Sequence, residues 1–440
     1  MDILIKIAQL FLCFTILVGI HELGHFLMAR AFKIRVEKFY IFFDPWFSLF
    51  KFKRGDTEYG LGWLPLGGYV KIAGMIDESM DKEQMKQPVK PDEFRAKPAW
   101  QRLLVMVAGV MMNVLLAIVI YCAVCNTWGD SYFSNQYAKW GYNFNPTAHE
   151  MGFRDGDRFV SIDGEEIDNV MRVQNALLIT DGGRRVVVER GGEPVTLDIP
   201  FESLLRMRQE KAYEDLFTLR LPFIVDSVSY TSAVEAGLES GDEVVAIDEL
   251  RDADYPRYRD YLQKHKNDKV LLTVRRDGAL IDSLALPVDA EGRIGVTVTN
   301  PYSLRTQYYT FWESIPAGIH KAGKTISSYW DQLKLIVQPK TKMYEELGGF
   351  VAIGSSFPGS WDWHDFWLKT AFLSIILAVM NLLPIPGLDG GHALFTLWEI
   401  ITRRKPSEKF LEVAQYVGLM IILALLVYAN GNDIYRFFIK

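Results

Sequence analysis

Residues 3–29 read ILIKIAQLFLCFTILVGIHELGHFLMA, an apolar run long enough to cross a bilayer as one helix, and His21-Glu22-Leu23-Gly24-His25 lies near its end. In a helix His21 and His25 stand one turn apart on the same face, so two imidazoles can share one Zn2+. Glu22 is beside them, where it can take a proton from water that the metal acidifies. A charged, metal-binding cluster costs several kcal/mol at membrane depth unless it is partnered and has a task there. The bland alternative, two buried histidines and a stray glutamate, leaves that cost uncompensated.

Three more stretches pass the same length test. Residues 103–126 (LLVMVAGVMMNVLLAIVIYCAVCN) and 413–432 carry no charge; 366–388 has only Lys369, near its start. Four such runs argue against core helices of a large soluble protein. Net charge is −6, so no overall basic field points to nucleic acid. All three cysteines, Cys13, Cys122 and Cys125, fall in apolar spans, which excludes a disulfide framework. Cys122 and Cys125 form a C-x-x-C without polar flanks and read as small hydrophobes. The first run is too long for a cleaved signal peptide and carries the metal motif.

Basic residues set the orientation. Arg30, Lys33, Arg35, Lys38, Lys51, Lys53 and Arg54 crowd the loop after the first span, and Arg403, Arg404, Lys405 and Lys409 the loop before the fourth. Both loops are expected in the cytoplasm, with both termini and the long middle region outside. The first and third spans then run the same way, so the end of the third lies near the depth of His21 and His25. That end reads Asn381-Leu382-Leu383-Pro384-Ile385-Pro386-Gly387-Leu388-Asp389-Gly390-Gly391-His392. The prolines break the helix, and the Asp389 carboxylate can turn inward as a third ligand, leaving one position open for water. A helix cap is the alternative for Asp389, and His392 is a rival ligand. Asn381 could donate to a substrate backbone or a developing oxyanion, or simply glue helices.

Together HELGH in the first span, N-x-x-P-x-P-x-L-D-G-G-H closing the third, and the four spans resemble the site-2 protease family of intramembrane metalloproteases, most closely its RseP-type bacterial branch with two external PDZ domains. The resemblance covers nearly the whole chain. It implies one Zn2+ on His21, His25 and Asp389, Glu22 as general base, and hydrolysis of a peptide bond within a substrate's own membrane helix. It also makes Tyr59-Gly60-Leu61-Gly62-Trp63-Leu64-Pro65-Leu66-Gly67-Gly68-Tyr69 a membrane-dipping β-hairpin, about 57–72, that pairs with an unwound substrate. Gly60, Gly62, Leu64, Gly67 and Gly68 would form the binding edge. The alternative is a Gly-rich turn buried against the first span. In one departure, the family's second span usually carries A-G-P-x-x-N, whereas Ala108-Gly109-Val110-Met111-Met112-Asn113 lacks the proline, leaving a straighter helix and an uncertain role for Asn113.

The middle region repeats itself. Residues 147–163 (TAHEMGFRDGDRFVSID) recur as 232–248 (SAVEAGLESGDEVVAID), each followed by a β pattern around a turn, at 186–197 and 270–286. The run resembles PDZ domains. Residues 221–225 could make a carboxylate nest in the second copy; a filter that excludes bulky substrates is the other reading. Residues 311–335 suggest an amphipathic helix on the outer membrane face or on the second repeat.

The expected architecture is a polytopic α-helical membrane protein with a membrane-associated β-hairpin and two external α+β PDZ-like domains. Its divisions are 1–30 (first span), 31–102 (cytoplasmic loop), 103–126 (second span), 127–212 and 213–298 (PDZ-like), 299–365 (external, amphipathic), 366–391 (third span with its motif) and 410–432 (fourth span). The resemblance implies a multi-pass protein of the bacterial inner membrane. Its partners would be the bilayer and single-span proteins, such as an anti-sigma factor or signal-peptide remnants, released or cleared by regulated intramembrane proteolysis. Two other functions compete: a membrane-tethered zinc protease acting on extramembrane segments, and a PDZ scaffold with an inert metal site.

Overall fold

A computed structural model describes residues 2–64, 67–75, 88–213, 215–302 and 305–439. The chain divides into two compact units, residues 1–130 with 308–440, and residues 131–307.

The first unit holds four helices long and apolar enough to cross a membrane: Asp2–Ala31, Ala99–Trp128, Trp363–Leu382 and Lys409–Phe437. They coincide with the four apolar runs. Their outward faces expose Ile3, Phe11, Met111, Val119, Met420 and Val427, side chains that only lipid would cover at no cost. The first two spans cross closely. A Cβ on Gly24 would stand 2.5 Å from the Ala108 carbonyl oxygen and 2.9 Å from Gly109 Cα, so the backbones meet where HELGH sits. The second span then packs on the third, with Ser374 Oγ donating to the Asn113 carbonyl at 2.8 Å.

Helix Phe311–Val337 is opened by a capping box between Thr310 and Glu313. Its buried stripe, Ser314, Gly318 and Ala322, faces the second span, in a core with Ala117, Tyr121, Val124 and Ile375. The periodicity was readable; the partner was not, and within this unit it is a membrane helix, because small residues four apart admit one. Cys122, free like Cys13 and Cys125, sits against Gly318.

The third span stops earlier than residue 391. It ends at Leu382, since Pro384 disfavours helical geometry in the residue before it, and a separate helix begins at Asp389 and runs to Thr402. Between first and second spans, β1 (Val36–Ile41), β2 (Phe50–Arg54), β3 (Thr57–Leu61) and β4 (Tyr69–Ile72) form one mixed sheet in the order β2-β3-β1-β4. The expected hairpin over 57–72 is therefore corrected. The hairpin is β2–β3, turning at Gly55, while β3 and β4 flank β1 on opposite sides, β3 in parallel. Pro65 and Leu66 lie outside the described residues.

In the second unit the repeat recurs atom by atom. Arg190 donates to Asp157 (2.8 and 2.7 Å) and to the Gly152 carbonyl (2.8 Å). Arg276 donates to Asp242 (2.6 and 2.7 Å) and to the Gly237 carbonyl (2.7 Å). Each copy has its own core, one around Phe144, Phe153 and Phe159, the other around Phe223, Tyr258 and Leu272. The expected boundary at 212 falls too early. Strand Phe217–Leu219 pairs with Tyr142–Phe144 and packs into the first core.

Burial alone would raise the Asp242 carboxyl, but Arg276 and the Glu239 backbone N–H outweigh it and hold it below its ordinary 3.8. A lowered carboxyl contributes stability that is complete above its unfolded value and is lost as pH falls through the folded one. Hydrogen exchange of the full-length protein should therefore show the second repeat loosening progressively below pH 3.8. Asp242→Asn should weaken the repeat at neutral pH and flatten that acid dependence.

Candidate active site and metal centre

His21 and His25 are both buried on the inward face of the first span. Their Nε2 atoms are 3.3 Å apart, and Asp389 Oδ2 lies 3.1 Å from one and 3.2 Å from the other. Donors held about 2.0–2.1 Å from a tetrahedral Zn2+ stand about 3.3 Å from one another, so three corners of such a site are already in place. Oδ2 is buried and has no hydrogen-bond donor, an anionic oxygen that a cation would satisfy. Among the described residues this is the one group of His, Cys, Asp and Glu side chains that could hold a metal. His392 is not in it. Nor is Asp389 a cap: the N-cap is Leu388, Asp389 is the first helical residue, and no side-chain cap bond forms.

Each imidazole is steadied from behind. His25 Nδ1 donates to the Val105 carbonyl at 2.8 Å, which leaves Nε2 as the lone pair. His21 Nδ1 is 3.2 Å from the fully buried Asn113 carboxamide. Asn381 Nδ2 lies 3.4 Å from His21 Nε2, so this residue stands at the mouth of the cluster. Glu22 is only partly buried, and its carboxylate faces the Val70 backbone N–H on β4.

The five residues expected to form a substrate edge separate into two groups. Gly60 is interior to the sheet, paired with Tyr40 on one side and Lys51 on the other, and the Tyr40 ring fills the space of its missing side chain. Gly62 donates to the Ile41 carbonyl at 2.9 Å, and Leu64 is bridged to Phe43. These three have no free edge to offer, because β1, unrecognised in the sequence, takes it. Gly67 and Gly68 instead lead into β4. A Cβ on Gly68 would stand 2.8 Å from Val18 and 3.4 Å from Glu22 Cγ, so the strand lies directly on the motif helix.

Asn113, Gly109, Val105 and Val70 were missed as site residues. Asn113 had a signal, an amide in an otherwise apolar uncharged span, four residues after a glycine.

Comparison with known proteins fits this geometry. Residues 9–425 match the profile of Peptidase family M50, and the chain belongs to that family, the site-2 proteases. A Clostridium perfringens protein named "Putative zinc metalloprotease" is 30% identical over 425 residues, 96% of each chain. The "Regulator of sigma E protease" of Haemophilus influenzae is 27% identical over 463 residues, covering 99% of this chain and 100% of its own. The protein is thus a membrane zinc metalloprotease.

A Cβ on Gly109 would stand 2.7 Å from His21 Cε1 and 2.9 Å from His21 Nε2, and closer still to His25 Nε2. Gly109→Ala should therefore cut zinc content by tenfold or more, on the order of the loss seen when a metal's supporting shell is damaged, while the protein still inserts. Elemental analysis of the purified protein reads this directly.

Proposed function

We propose that this protease hydrolyses a peptide bond inside the membrane helix of single-span membrane proteins, with Zn2+ held by His21, His25 and Asp389. The observation that carries the reading is that the three donors converge between helices apolar enough to cross a bilayer. Bound Zn2+ supplies Lewis acidity, polarising a carbonyl and acidifying water. Glu22 takes the proton from the attacking water and returns it to the leaving amine. The Asn381 amide donates toward the carbonyl oxygen as negative charge builds there.

A helical peptide bond is shielded by its own hydrogen bonds, so the substrate must unwind before it is cut. The outer edge of β4 is the surface that receives it. Among the described residues β4 pairs only with β1, and its Val70 N–H is turned to the Glu22 carboxylate. A strand added there runs past the base. Exposed Trp46, Phe47, Leu49 and Phe50, with Lys51 and Lys53 beside them, suit an element dipping into the cytoplasmic interface. The dipping tip then falls on 46–50 rather than within 57–72.

The basic loops face the cytoplasm, and both termini and residues 131–307 lie outside. The two repeats are PDZ-like domains that restrict bulky substrates. Substrates are single-span proteins already shortened outside, such as an anti-sigma factor, in keeping with the name of the Haemophilus relative, or signal-peptide remnants.

Glu22→Gln should lower cleavage by about 10²–10⁴-fold or more while zinc stays at one per chain. Membrane proteomes from wild-type and variant cells, with the scissile bond mapped by mass spectrometry, test the whole reading. Shortened single-span proteins should accumulate with the variant. Wild-type cuts falling only outside apolar segments would remove the intramembrane assignment.

A further inference from the structure

We infer that Asn113 is the positioning residue of His21: its carboxamide oxygen accepts the Nδ1 proton and so turns the Nε2 lone pair toward the metal. The inference rests on the zinc-ligand reading above. His25 has its tautomer fixed by a group that can only accept, the Val105 carbonyl at 2.8 Å. His21 has no such carbonyl; the carboxamide of Asn113 stands at its Nδ1, with Nδ2 placed 3.2 Å away and Oδ1 turned from the ring without a partner, so accepting the proton requires the amide orientation that exchanges the two.

An amide can present either end. With Nδ2 toward the ring, Nδ1 must be the acceptor, and the imidazole proton moves to Nε2. There it would point into the space among His25 Nε2, Asn381 and Asp389 Oδ2, where it would occupy the metal's place. With Oδ1 toward the ring, the proton is held at Nδ1 and all three donors face one point. Asn113 is fully buried, and the end turned away from the imidazole has no partner. One end is therefore unpaired in either orientation, and the imidazole decides which. An amide placed in an apolar span with half its capacity unused is expensive as mere packing.

The neighbouring geometry leaves the carboxamide little freedom. Ser374 Oγ bonds the Asn113 backbone carbonyl at 2.8 Å, and the glycine one turn before it, Gly109, lies beneath both rings. The second span is a continuous helix from Ala99 to Trp128, so the absence of a proline at Val110 does not turn Asn113 away from the site.

The test uses the full-length protein purified in detergent, with zinc affinity measured by chelator competition and the ligand field read from the visible spectrum of the Co2+-substituted protein. Asn113→Leu and Asn113→Ala, which remove the acceptor, should weaken zinc binding about 10–100-fold and shift the Co2+ bands. Asn113→Asp keeps an oxygen facing Nδ1 and should restore both toward wild type. A structural role predicts the opposite ranking, with leucine tolerated in the apolar span and aspartate the most damaging. If the leucine variant is not recovered folded, alanine against aspartate decides by the same ranking. Wild-type affinity and spectrum in the leucine or alanine variant, or an aspartate variant no better than alanine, overturns the inference. A wild-type protein that binds no zinc would instead overturn the ligand assignment beneath it.

Discussion

The close crossing of the first two spans, backbone against backbone at Gly24 and Gly109, governs how everything else at the centre is arranged. In lipid there is no hydrophobic drive to bring two helices together, so association comes from contact area and polar bonds. Small residues at the crossing allow both. The carbonyl of Val105 and the amide of Asn113, one turn on either side of Gly109, reach the two imidazoles only because the helices lie this near. The third span is then fixed to the second through Ser374, and the break after Leu382 brings Asp389 back toward the same point.

Burying this many polar groups at membrane depth is tolerable because nearly every one is matched. Thr370 bonds the Phe366 carbonyl, Ser374 that of Asn113, and His25 that of Val105. Among the described residues of the spans and the helix that follows the third, Gln9 Oε1, Asn113 Oδ1, Asp389 Oδ2 and Asp433 Oδ1 lack a partner, and of these Asp389 Oδ2 and Asn113 Oδ1 adjoin the cluster. Asp389 Oδ2, an unmatched anionic oxygen within 3.2 Å of two imidazole nitrogens, is the one among them with the surroundings of a cation ligand.

Much of this was legible in the chain. Length and apolarity alone located four spans, since few soluble helices run so long without charge, and the prolines after Asn381 marked where the third ligand could turn inward. The convergence of His21, His25 and Asp389 followed from spacing and depth. The sheet did not follow. β1 joins β3 in parallel across some twenty residues, and no local pattern announces a pairing that distant, so Gly60 looked open when Tyr40 in fact covers it. Asn113 was visible as a residue type but not as a direction, because a uniformly apolar helix gives no hint of which face meets which neighbour. Arg190 and Arg276 escaped for a related reason: the repeat was recognised from its glycines and aspartates, while the cations that satisfy those aspartates arrive from strands 33 or 34 residues later.

The separate origin of the three donors has one more consequence. Two come from the span Asp2–Ala31, the third from a helix some 360 positions later in the chain, beyond the proline break that ends the third span. If these three hold the ion as proposed, a chain with one of those spans left behind or reversed would not bring them together. Correct threading of both spans would then be a condition for assembling the centre, since neither segment carries all of its donors.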